Sequence, residues 1–177
     1  RFDTAKHANE VNRFGWIVEI DPFDPTLMPI KRTALGRCKH EGATTRLAPD
    51  GRVAVYMGDD ERFEYIYKFV SRDRFDAKNP KANRDLLDHG TLYVAKFNAD
   101  GSGDWLELSY GKNGLTTDNG FADQADLLVR TRMAADAVGA TKMDRPEWVA
   151  VHPQTGEVFV TCTTNTKRTA ENINAAN

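Results

Sequence analysis

Arg145 and Glu147 flank a proline in the stretch DRPE (144–147), at the mouth of a segment, WVAVHP, that alternates like a half-buried strand. The planar fork of an arginine suits bidentate binding of phosphate, and a glutamate offers oxygen ligands to a hard cation. Pro146 fixes the backbone between the two charges and predicts an extended conformation for Arg145. In an extended segment residues i and i+2 share a face, so Arg145 and Glu147 are placed to meet one ligand. A local salt bridge explains the same pair, and at a surface it would contribute little. Taken alone, these residues leave both readings open.

A second carboxylate stands in a matching context. Glu41 leads into GATTRLAPDGRVAVYM as Glu147 leads into WVAVHPQTGEVFVTC: a strand, a turn of proline and glycine, then an alternating valine strand. By itself Glu41 is a strand-edge charge; its match to Glu147 makes it a candidate metal ligand. The zinc motif HExxH is absent, because Thr44 stands where the second histidine is needed. In MGDDERFEY (57–65) three acids close a strand, which gives either a solvated turn or a calcium ligand, Asp60 being the candidate. Asn98, Asp100, Ser102 and Asp104 are spaced like the start of a calcium loop. Ser109 occupies the position of the required bidentate glutamate, so this stretch reads as a glycine-rich hairpin turn. No GxSxG elbow or nucleotide loop is present, and the histidines at 7, 40, 89 and 152 show no ligand spacing.

The elements that must position these residues are mostly strands. GWIVEI (15–20), RTALGRC (32–38, weaker), 42–47, 53–57 and FEYIYKFV (63–70) read as strands. Hairpins follow over 90–108 and 147–165, with a polar surface loop over 71–90. From Phe121 to about Val138, apolar residues recur at helical spacing, predicting one structural helix capped by Asp118 or Asn119 and ended by Gly139. Repeated short antiparallel sheets suggest a β-propeller. At roughly 40–50 residues per blade the two glutamates fall about two blades apart, at equivalent strand starts facing one channel. A propeller needs at least about four blades to close, so a fragment of a longer protein is expected.

Composition sets outer bounds. The 177 residues support one good core; 40% are hydrophobic and 28% charged, with a net charge of −2. That balance argues against nucleic acid or an anionic membrane as a partner, and no apolar run approaches the ~18 residues of a spanning helix. Cys38 and Cys162 are too few for a disulfide scaffold or a four-cysteine zinc site, and each reads as a small buried hydrophobe in a strand-like run.

Four stretches then carry a resemblance: RFGWIVEIDPFDPTLMPIKRTALGRCKHEGAT, GRVAVYMGDDERFEYIYKFVS, GFADQADLLVRTRMAADAVGATKMDRPEWVAVHP and GEVFVTCTTN. Over nearly its whole length the chain resembles the PhoX family of bacterial alkaline phosphatases. The resemblance implies a mainly β fold, part of a six-bladed β-propeller with an inserted helix near 121–138. Residues 1–177 would supply about two to three blades from the middle of a larger, monomeric protein. It implies hydrolysis of phosphate monoesters at an iron(III) and calcium cluster in the channel, in the periplasm or outside the cell after twin-arginine export. Glu41 resembles the iron-ligating glutamate, Arg145 the phosphate-binding arginine, Glu147 a calcium ligand and Asp60 a further calcium ligand. Arg145 and Glu147 are thus the expected catalytic residues. Neither Cys38 nor Cys162 matches the family's iron-ligating cysteine, which lies in an upstream segment. In the family a further metal-binding aspartate lies downstream of the matching stretch, so by this resemblance the stretch by itself is expected to be inactive. Two rival readings remain: a calcium-stabilised propeller scaffold without activity, and a related phosphodiesterase or lactonase. Arg145 discriminates, since a scaffold does not need it.

Overall fold

The computed structural model describes residues 3–176. The architecture is mainly β. A small ladder, β1 (Val18–Glu19) with β2 (Ile30–Lys31), precedes a five-stranded antiparallel meander. The meander comprises β3 (His40–Leu47), β4 (Arg52–Asp59), β5 (Ile66–Arg74), β6 (Gly90–Phe97) and β7 (Gly103–Glu107), hydrogen-bonded in that order. Two short helices follow, α1 (Gln124–Val129) and α2 (Thr131–Ala137), and then a separate hairpin, β8 (Pro146–Val151) with β9 (Val158–Cys162). These sheets are open ones. Among the described residues no helix is long and apolar enough to cross a membrane.

Cross-strand pairing explains which face is apolar. Val55, Phe69 and Leu92 lie opposite one another across β4, β5 and β6, as do Met57, Tyr67 and Val94. They bury with Leu108, Leu115, Phe121, Leu127, Ala134 and Ala135 beneath the helices. The alternate residues of the same strands face the other way: Tyr56, Lys68, Tyr93 and Glu107 pair in register, with the Lys68 ammonium 4.4 Å from the centre of the Trp105 ring. The β8–β9 hairpin docks at one corner of that second face. Thr44 donates its hydroxyl to the Val149 carbonyl, and Arg46 Nη1 donates to the Gly156 carbonyl at 2.7 Å.

Several expectations need correction. The segment 32–38 holds no strand; it forms a 3-10 turn at Thr33–Leu35, with Arg32 buried against Glu19 and Asp88. The strand at 15–20 shrinks to two exposed residues. The single helix over 121–138 is two, broken at Arg130, and Asp123, not Asp118 or Asn119, caps the first by accepting from the Asp126 N–H. The break has a tertiary cause. The Leu128 carbonyl, which a continuous helix would spend on residue 132, accepts instead from the Arg37 N–H at 3.0 Å and the Thr131 hydroxyl at 2.7 Å. Cys38 is buried as expected, whereas Cys162 is exposed; both thiols are free.

Candidate functional site

The end of β4 and the beginning of β8 meet, and three of the four candidate residues converge there. Arg145 Nε lies 3.0 Å from Asp60 Oδ1, its Nη2 donates to Asp60 Oδ2 at 3.1 Å, and Nη2 stands 3.5 Å from Glu147 Oε1. Thr163, just past β9, donates its hydroxyl to the same Glu147 oxygen at 3.0 Å. Arg145 is one-third exposed; Nε and Nη2 are held by Asp60 and Glu147, and Nη1 has no hydrogen bond or ion pair among the described residues.

The close approach has a local reason. A Cβ on Gly58 would lie 2.7 Å from both the Pro146 and Glu147 carbonyl oxygens, so only glycine lets β8 begin directly over β4. A Cβ on Gly42 of β3 would meet the same β8 backbone only at ordinary contact distance, 3.7 Å. Arg145 departs from the expected extended conformation. Its φ is +49°, in the left-handed region that the residue before a proline avoids, at a cost of order 1–3 kcal/mol. The side chain still reaches Glu147, through this turn and not through an alternating strand face.

Glu41 is placed differently. In the β3–β4 ladder His40 pairs with Asp59 and Gly42 with Gly58, which leaves Glu41 as the extra residue of a bulge. Its side chain is exposed and takes no hydrogen bond or ion pair among the described residues. Glu147 sits at a matching irregularity, where Pro146 pairs with Cys162 and Val149 with Val160. The likeness between the two stretches therefore extends to backbone geometry: each glutamate is the second residue of its strand, at a bulge, beside the other strand's entry.

The three acids after Met57 separate by partner. Asp59 is fully buried and accepts from the Arg132 guanidinium of α2 and from the Lys39 N–H at 3.1 Å. Asp60 faces Arg145, and Glu61 pairs at the surface with Lys39, which helps draw its carboxyl down to about 2. Glu64 lies behind them. Burial first, then Asp59 and Asp136, push its carboxyl up to about 7, against the opposing pull of Arg132 3.5 Å away. Sequence reasoning missed Asp59, Arg132 and Thr163. The buried aspartate was visible only as one acid in a run of three, and alternation does not say which of them turns inward.

The donor set suits a hard cation. Asp60 Oδ1 is buried and, although ion-paired with Arg145, has no aligned hydrogen bond, so it keeps acceptor capacity. Among the described residues no group of three or more His, Cys, Asp or Glu stands together to hold a metal by itself. Asp60 and Glu147 place oxygen donors on either side of the Arg145 guanidinium, short of a complete ligand set among the described residues. The glycine-rich turn at 98–104 closes on itself, with Asn98 donating to Ser102 and Asp104, and Ser102 to Asp100.

Comparison with known proteins fits this arrangement. The family model for alkaline phosphatase PhoX matches residues 1–177. Among solved structures, one described as Pseudomonas fluorescens PhoX in complex with vanadate, a transition state analogue, is similar at a TM-score of 0.91 and 60% identity. The match covers 94% of this chain and 30% of that one, so the chain spans under a third of the length of that protein. No curated protein matches.

Proposed function

The chain belongs to the alkaline phosphatase PhoX family, and from that premise we propose that it forms part of a metal-dependent phosphatase that hydrolyses phosphate monoesters. The observation that carries the reading is the partly exposed Arg145 fork, held through Nε and Nη2 between Asp60 and Glu147 with Nη1 unpaired among the described residues. Arg145 would bind an equatorial phosphate oxygen, in the ground state and more strongly as charge develops. Glu147, oriented by Thr163, and Asp60 set the direction of that fork. In this reading Asp60, Glu147 and Glu41 contribute ligands to hard cations, calcium and iron(III), which supply charge neutralisation on the phosphate and on the leaving group.

A propeller is the architecture proposed for the complete protein. A five-stranded meander with a further hairpin stacked on its face supports it, since successive blades pack in that way. Residues 1–177 would then be two to three blades of one domain. Periplasmic or secreted location and a monomeric full-length state belong to the same proposal; cell fractionation and sedimentation of the full-length protein check them.

Arg145→Ala in the full-length protein tests the clamp. Turnover of p-nitrophenyl phosphate should fall by about 10²–10³-fold while metal content and folding are kept, as for loss of one donor to a developing oxyanion. Unchanged turnover would overturn the phosphate clamp, and full-length protein that binds calcium without any turnover would be the calcium-stabilised scaffold.

A further inference from the structure

Two non-glycine residues next to the cluster have left-handed backbones, Arg145 at φ +49° and Phe63 at φ +66°. Such conformations persist only where the surroundings over-determine them. The turns that contain them are stitched together. The Phe63 N–H donates to the Met143 carbonyl at 2.9 Å, the Met143 N–H donates to the Glu64 carbonyl at 2.9 Å, and Arg62 bridges Asp144.

One side chain spans this seam. Arg168 Nε donates to Asp144 Oδ1 at 2.9 Å, and Nη2 lies 2.8 Å from the same oxygen. Nη2 also donates to the Lys142 carbonyl at 2.9 Å, and Nη1 to the Asn172 carbonyl at 2.6 Å. The guanidinium stands 4.8 Å from the centre of the Phe63 ring. Asn165 adds a 2.7 Å hydrogen bond to Asp144 Oδ1. The Arg168 side chain is only 12% exposed, unlike a solvated surface pair. It therefore grips both ends of the 142–144 turn that leads into Arg145, and the ring three residues after Asp60.

We infer that Arg168 is a positioning residue for the phosphate clamp: through Asp144 and the Lys142 carbonyl, with Phe63 against its guanidinium, it fixes the backbone turn from which Arg145 projects. This rests on the phosphate-clamp reading above. Its ion pairs and hydrogen bonds go to Asp144, Lys142 and Asn172, not to Asp60, Arg145 or Glu147. A lysine would keep the charge but lacks the planar fork that serves an aspartate and two carbonyls together.

A double-mutant cycle in the full-length protein tests it, with Arg168→Ala, Arg168→Lys, Arg145→Ala and the corresponding doubles. The readouts are kcat/KM for p-nitrophenyl phosphate and the inhibition constant of inorganic phosphate. Displacing a clamp by about 1 Å costs on the order of 10²-fold. Arg168→Ala should therefore lower kcat/KM by about 10- to 100-fold and weaken phosphate inhibition, with Arg168→Lys in between. In the Arg145→Ala background the same change should cost no more than about twofold, because the group it positions is gone. An equal loss in both backgrounds would overturn the proposal, as would wild-type kcat/KM and phosphate inhibition in Arg168→Ala. Should Arg168→Ala fail to fold, the Arg168→Lys cycle decides on the same criteria. A crippled Arg145→Ala beside an unimpaired Arg168→Ala sinks only the positioning role. Wild-type turnover in Arg145→Ala sinks the clamp and the positioning role together.

Discussion

Glu41 and Glu147 occupy the same place in their strands, the second residue at a bulge, yet the protein holds them in opposite ways. Glu147 is half-buried, takes the Thr163 hydroxyl and faces Arg145. Glu41 is exposed and unpaired among the described residues. One chain geometry repeated twice thus yields one carboxylate locked by its own neighbours and one left open. The locked side owes its rigidity to contacts from distant segments: Gly58 beneath β8, Thr163 after β9, and the strained turn at Arg145. Repetition supplies the carboxylates, and tertiary contacts decide which arrives pre-oriented.

Removing each carboxylate should give the largest effects and test that asymmetry. In the full-length protein, Glu147→Gln and Glu41→Gln should each lower kcat/KM for p-nitrophenyl phosphate by about 10²-fold or more if both serve one site. The difference should appear after chelation. Glu147→Ala should then lower Tm, whereas Glu41→Ala should give only the small Tm shift of a surface change. Equal Tm losses in the two metal-free variants would break the comparison.

Glycine substitutions should come next. Gly58→Ala puts a methyl 2.7 Å from two backbone oxygens, so the start of β8 must move. A destabilisation of about 1–3 kcal/mol is expected, with a fall in turnover approaching 10²-fold as Glu147 shifts. Gly42→Ala meets the same backbone at 3.7 Å and should be close to neutral in both thermal unfolding and turnover. Thr163→Val should act more weakly. It removes one hydrogen bond to Glu147, worth about 1.5 kcal/mol, and so should cut kcat/KM up to about tenfold with little change in Tm.

Much of this contrast was legible in the sequence, and the rest was not for identifiable reasons. Period-2 alternation and the turn residues between strands located both strands of each of the three hairpins, and in β4 and β6 the alternation also marks the face that packs in the core. The i, i+2 spacing of Arg145 and Glu147 and the acidic end of β4 pointed to three side chains that the structure brings within ion-pairing distance. The helix break was hidden because its cause, the Arg37 N–H on the Leu128 carbonyl, lies far away in sequence. The Arg145 backbone was misread because the proline rule is local, while the contacts that sustain the strain come from Thr163, Asn165 and Arg168. Nothing near Asp144 in the sequence says that an arginine two dozen residues later will hold it.

The smallest expected effect is a pH slope on the locked side. Glu64 lies under the seam, with its carbonyl accepting from the Met143 N–H and its carboxyl facing Arg132, Asp59, Asp136 and Lys142. Burial raises this carboxyl from an ordinary value of 4.5 to about 7. Between those values the folded protein keeps a proton that the unfolded chain has released, so stability falls as pH rises through this window and levels off above it. Below about 4.5 both states are protonated and the contribution is fully present. Thermal unfolding of the full-length protein should therefore show Tm declining from about pH 5 to pH 7 more steeply in the wild type than in Glu64→Gln, which carries no proton to lose. The protection factor of the Met143 amide should fall over the same interval, while those of β3 amides beyond the Glu41 bulge should not follow it. If Glu64→Gln kept the wild-type slope, the linkage would belong to another group, and the locked side would owe its rigidity to geometry alone.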